Sequence, residues 1–179
     1  LKLPNRHKAI VKTKLYHGLG LVDKSWNIQL NDSSIRLITP TLVIDNIYKS
    51  MEGPKVVRSF QLDQTKSELV WLTSFETKAL STNEVDQLSN DFVCHTNIDL
   101  FEGEHYSRWQ LNHRIGEQYP RLTSMSNGIE SYKFPEGFGF PLFTNENLLL
   151  ATQSLNHNIK GGSFKIKHEV NLGFKPHNK

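Results

Sequence analysis

The run Phe164-Lys165-Ile166-Lys167-His168-Glu169-Val170-Asn171-Leu172-Gly173-Phe174 restricts what this chain can become more than any other stretch of it. Every second residue is apolar except His168, and a side-chain period of two belongs to a β-strand with one face against a core and the other in water. Elsewhere, short apolar segments are separated by Gly, Pro, Asn, Asp and Ser, and sustained helical periodicity is almost absent. The pattern predicts an all-β fold: a two-sheet antiparallel β-sandwich or jelly roll with at most short helical turns.

Further strands are expected where Ala9, Val11, Thr13 and Leu15 alternate with lysines, at Leu42-Val43-Ile44, at Phe92 to Leu100 and at Asn147 to His157. The run Leu-Val-Trp-Leu-Thr-Ser-Phe after Glu68 is apolar on both faces and predicts a mid-sheet strand covered on two sides. Ser81 and Glu84 have capping-box spacing, which predicts a helical turn over 81–88 with Val85 and Leu88 facing inward. The segment Phe134-Pro135-Glu136-Gly137-Phe138-Gly139-Phe140-Pro141 demands tight turns. Residues 102–128 carry no clear pattern.

The 179 residues show no repeat, linker or low-complexity tract and predict a single sandwich domain over 1–179, compatible with one module of a longer parent protein. A start at Leu1 without a basic-then-apolar leader fits a mature or trimmed fragment. A net charge of +3, with Lys and Arg scattered among acids, argues against nucleic acid as partner. No apolar stretch is long enough for a membrane span. The single cysteine, Cys94, excludes an internal disulfide and leaves the eight histidines as the main chemical resource.

Alternation places Val93, His95, Asn97 and Asp99 on one face of their strand, with Cys94, Thr96 and Ile98 on the other. His157 ends a second strand, sharing its face with Ala151, Gln153 and Leu155. If the two strands pair, their imidazoles converge, and neutral imidazole is a good ligand for copper or zinc. The alternative for each is a hydrogen-bonded structural histidine. His168 interrupts an apolar face and needs a partner. It is either a neutral core histidine bonded to backbone or to a side chain such as Asn97, or a further ligand. His105 and His113, in a polar segment, could reach a metal from a loop. Cys94 is a candidate thiolate ligand, although its expected direction is away from His95. Met51 is expected to pack a turn. His7, His17 and His177 are given no role, no catalytic residue is assigned, and no organic cofactor motif is present.

Val70 to Leu80, then Cys94-His95, then Phe134-Pro135-Glu136-Gly137-Phe138-Gly139-Phe140, then Leu148 to His157, form an ordered series of motifs. Over roughly residues 68–174 this series resembles the first catalytic domain of the copper type II, ascorbate-dependent monooxygenases, the family of peptidylglycine alpha-hydroxylating monooxygenase. That family runs a strand, a His pair on a strand, a Leu-Pro-x-Gly-x-Gly-Phe turn and a strand ending in another His. The resemblance implies one copper held by His95 and His157, with His168, His113 or His105 completing the site and Cys94 standing where the family has a further histidine. It also implies a secreted, periplasmic or envelope setting. Family members use two sandwich domains and two copper sites, so oxygen-dependent redox chemistry here would need a second domain or protein as partner.

A metal-free glycan- or protein-binding or structural module is the competing expectation, because sandwiches host many functions. It would be marked by an exposed aromatic patch drawn from rings such as Trp26, Tyr106, Trp109 and Tyr119. A metal-independent hydrolase would instead need carboxylates such as Asp45, Asp99 or Glu130 to be paired in space.

Overall fold

A computed structural model describes residues 25–112 and 120–177. Among these the chain forms strands β1 (Asn27–Asn31), β2 (Ser34–Ile38), β3 (Leu42–Ile44), β4 (Lys55–Phe60), β5 (Leu69–Ser81), β6 (Val93–Leu100), β7 (Arg121–Met125), β8 (Ser131–Lys133), β9 (Phe140–Phe143), β10 (Leu148–Ser154) and β11 (Phe164–Pro176), with one α-helix, α1 (Glu102–Arg108), and a single 3-10 turn at Asn90–Phe92. All pairings are antiparallel. The larger sheet runs β1-β2-β11-β5-β8, with β3 also paired to β11 and β9 also paired to β5; the smaller runs β4-β10-β6-β7. The fold is the all-β sandwich expected, and the alternating run at the C-terminal end is its 13-residue strand β11.

The main core lies between the sheets. Ile35, Leu37, Leu72, Phe75, Val170 and Leu172 from the larger sheet meet Phe60, Ile98, Leu100, Met125, Leu148 and Leu150 from the smaller. Leu42, Ile44 and Ile166 form a second, smaller cluster. Between the two runs a polar layer. Thr77 on β5 reaches Thr96 on β6 at 2.9 Å, Thr96 reaches Thr152 on β10 at 2.8 Å, and Thr152 reaches His168 Nδ1 on β11 at 2.7 Å. Ser154 Oγ lies 3.1 Å from His168 Nε2. A hydroxyl can both donate and accept, so threonines suit a continuous chain across the sandwich. A dry interior makes each bond expensive to lose.

Three local expectations need correction. Residues 81–88 form a tight turn, not a helical one. Asn83 Oδ1 accepts from the amides of Val85 and Asp86, and Glu84 takes a φ of 64°, outside the helical region. Val85 consequently faces solvent instead of the core. The helix lies at α1, inside the segment that carried no clear pattern. Strand β5 is central, as expected, but its buried residues alternate with half-buried ones, so only one of its faces is covered by the second sheet. The strand expected over residues 9–15 lies outside the described residues.

Burial lowers the pKa of His168 to about 4, against an ordinary value of 6.5; the Phe92 backbone only partly opposes this. The unfolded chain then binds more protons than the folded one between these values. Stability is full above about pH 6.5 and falls as pH drops towards 4, by up to roughly 3 kcal/mol for this group. Urea midpoints measured from pH 7.5 to 4.5 should decline accordingly, and His168→Gln should flatten that slope whatever its effect at neutral pH. An unchanged slope would show that His168 is not the group responsible.

Candidate functional site

Among the described residues the histidines are not gathered into one cluster. His95 is half-buried on β6, and its cross-strand partner on β10 is Gln153. The Gln153 amide is committed to the Met51 and Gly53 carbonyls, at 2.8 and 2.7 Å. Met51 itself takes a φ of 70° in a turn and is exposed, not packed. Strand β10 ends at Ser154, and His157 follows in an exposed loop instead of closing the strand. His168 points into the core with both ring nitrogens hydrogen-bonded, whereas alternation sends His95 to the opposite face of the smaller sheet. Its partners are Thr152 and Ser154; Asn97 instead accepts from Ser124 at 2.7 Å.

His105 is buried on α1, 2.6 Å from Glu146 through Nδ1, and stacks on Phe140 with ring centroids 5.6 Å apart. His113 lies outside the described residues, as do His7 and His17. Cys94 does not turn away from His95: its thiol is 3.4 Å from His95 Nδ1. Burial first, then the positive charges of Lys55 and Arg121, lower the His95 pKa and favour its neutral form. Among the described residues no group of three or more His, Cys, Asp and Glu side chains is placed to hold a metal ion. The described residues alone therefore assemble no three-histidine copper site of the kind the resemblance implies, and His113 lies outside them.

The carboxylates are also dispersed. Asp45 bonds Tyr48, Asp99 pairs with Arg121, and Glu130 accepts from the Gly128 amide. Nor do the rings singled out from sequence make an exposed patch. Trp26 is in the core, Tyr106 and Trp109 pack beside His105, and Tyr119 lies outside the described residues.

An aromatic groove of about 780 Å³ opens elsewhere, on the outer face of the larger sheet. Its floor comes from the pairing of β5 with β11, which sets Trp71 opposite Lys175. One residue along, the register shifts: Gly173 faces Ser74 and Phe174 faces Leu72, leaving Thr73 as the extra residue of a β-bulge. On the other edge of β5 the Thr73 carbonyl accepts from the Phe134 amide at 2.9 Å, one step beyond the pairing of β5 with β8. Strand β8 pairs with β5 on one side of this bulge and β9 on the other, so residues 134–139 leave the sheet edge as a loop and return to it. That loop is the groove wall.

Its shape is built into the sequence. The Phe138 amide donates to the Pro135 carbonyl at 3.0 Å, and Gly137 takes a φ of 83°, as the third residue of a type II turn requires. Phe138 is held outward, 68 % exposed. At the base of the loop a Cβ on Gly139 would stand 2.8 Å from the Leu72 carbonyl oxygen, so the wall can rejoin β5 only through glycine. At the far end the Trp71 indole N–H donates to His177 Nδ1 at 3.0 Å, holding the two rings 5.9 Å apart.

No family model, no curated protein and no solved structure matches this chain. Among the described residues no helix is long and apolar enough to cross a membrane.

In the sequence Trp71 is one of a run expected to be covered on two sides and His177 has no assigned role, so neither is marked as a site residue. The signal that was available is the Pro-Glu-Gly-Phe-Gly string, in which two glycines bracket an aromatic residue that then has no core position to fill. Gly139→Ala should cost about 1–3 kcal/mol in urea unfolding, because main chain must move to admit the new atom. Gly103→Ala, where nothing lies within 4 Å on α1, should instead stabilise by roughly 0.5–1 kcal/mol. Equal effects at the two sites would contradict the close approach at Gly139.

Proposed function

We propose that this domain is a glycan-binding module without a resident metal, and that it holds its ligand in the groove walled by residues 134–139. The observation that carries the reading is Phe138: a large apolar side chain 68 % exposed, projected by a specified turn beside a second accessible ring, Trp71. The apolar C–H faces of pyranose rings lie well on such flat rings. The Thr73 hydroxyl, the Glu136 carboxylate, the Lys133 and Lys175 ammonium groups and the His177 ring on its lining supply polar groups to orient a ligand. A secreted or envelope setting, as the resemblance implies, would bring the groove within reach of surface polysaccharides.

Covering the Phe138 ring should contribute roughly 1–2 kcal/mol, or about tenfold in affinity. Affinity electrophoresis against a panel of neutral and acidic polysaccharides should retard the parent chain. Phe138→Ala and Trp71→Ala should relieve the retardation, with His95→Ala behaving as the parent. Because Phe138 is so exposed, its removal should change stability by less than about 0.5 kcal/mol. Retardation lost on changing His95 but not Phe138, or none with any polysaccharide, would contradict the reading.

One observation favours a second reading, copper binding in concert with another domain or protein. Cys94 and His95 put a soft sulfur and a neutral imidazole side by side in a half-buried position, a two-donor pair suited to copper(I). Oxygen-dependent redox chemistry would then require further ligands from the partner. Calorimetric titration with copper(I) should show one-to-one binding lost in both Cys94→Ala and His95→Ala; indifference to either change would remove this reading.

A further inference from the structure

We infer that the ligand of the groove is an acidic polysaccharide, its carboxylate or sulfate groups held by Lys133, Lys175 and His177 while its sugar rings lie on Trp71 and Phe138. This rests on the glycan-binding reading and adds the charge of the ligand to it.

The first support is charge. Lys133 and Lys175 both line the groove and are exposed, and no ion pair engages either of them among the described residues. Elsewhere on the larger sheet Arg36 pairs with Glu169, Lys78 with Glu76 and Lys167 with Glu84, while Lys165, towards the other end of β11, is exposed outside these pairs. The groove thus gathers two such cations, Lys133 and Lys175, against a single acid on its lining, Glu136. His177 accepts from Trp71 through Nδ1, so its Nε2 carries the proton and adds a donor.

The second support is geometry, which favours sugar over peptide. An extended peptide gains affinity by adding to an open strand edge. At the groove floor β5 has none to offer, because β11 pairs with one edge while β8 and β9 pair with the other. Pro176, on the floor beside Lys175, has no N–H to give. What the groove presents is ring faces and cationic tips, which match a polymer of flat apolar sugar faces and equatorial acidic groups.

The test uses the whole chain and four soluble probes: polygalacturonate, chondroitin sulfate, fully methyl-esterified pectin and poly-glutamate. The acidic polysaccharides, or one of them, should bind at least tenfold more tightly than the methyl ester, and the advantage should shrink as salt is raised from 50 to 300 mM. Lys133→Ala combined with Lys175→Ala should remove that advantage, and Phe138→Ala should weaken binding of the acidic and esterified polymers alike. Equal binding of the methyl ester, still dependent on Phe138, would overturn the acidic assignment while leaving the glycan groove in place. Binding of poly-glutamate alone would replace it with a protein partner. Absence of Phe138-dependent binding of every polysaccharide would overturn both.

Discussion

The pairing of β5 with β11 is the constraint on which the rest of the molecule depends. Both strands are 13 residues long, and they stay in register from Ile166 opposite Ser81 to Pro176 opposite Val70, with one interruption. Their inner faces contribute Leu72, Phe75, Val170 and Leu172 to the core. Their outer faces carry the charge pairs and, at one end, the groove. The interruption matters as much as the pairing. Beside the bulge, the Thr73 carbonyl on the other edge of β5 accepts from the Phe134 amide, which continues the pairing with β8 and fastens the start of the loop bearing Phe138 to the sheet edge. Gly173 accommodates the same bulge, since a Cβ there would meet the Ser74 hydroxyl at 2.3 Å.

The polar layer explains why histidine content is a poor guide to chemistry in this chain. His168 closes a hydroxyl chain that crosses from one sheet to the other, and His105 is occupied by Glu146. Each of these imidazoles has a bonding partner that burial makes costly to give up. His95 lies on the far side of the smaller sheet from His168, so coordination by both would need that sheet to come apart. The groove, by contrast, brings accessible rings and the Lys133 and Lys175 side chains together behind a wall set by turn chemistry instead of by core packing.

How legible this was depended on the range of the interaction. The period of β11 and the position of β5 could be read directly, because alternation and apolar length are local properties. The tight turn at 135–138 was equally plain from Pro and Gly. The helix α1 was not, since Glu102–Arg108 has only His105 and Glu102 buried and no side-chain cap to announce it. Residues 81–88 misled because a Ser and a Glu at capping spacing were overruled by Asn83, whose side chain competes for the same amides. The site was hardest of all. Gln153 facing His95 and Trp71 facing Lys175 are facts of register between distant strands. Register, including a bulge of one residue, is not written in either strand alone.

The most direct measurement is a nuclear magnetic resonance titration of the labelled chain with a defined acidic oligosaccharide, following the backbone amides together with the Trp71 indole N–H. The account predicts that the largest shifts fall on that indole and on residues 133–138, with the amides around Cys94 and His95 unmoved. Shifts centred on Cys94, His95 and His157, or spread evenly over the surface, would contradict it.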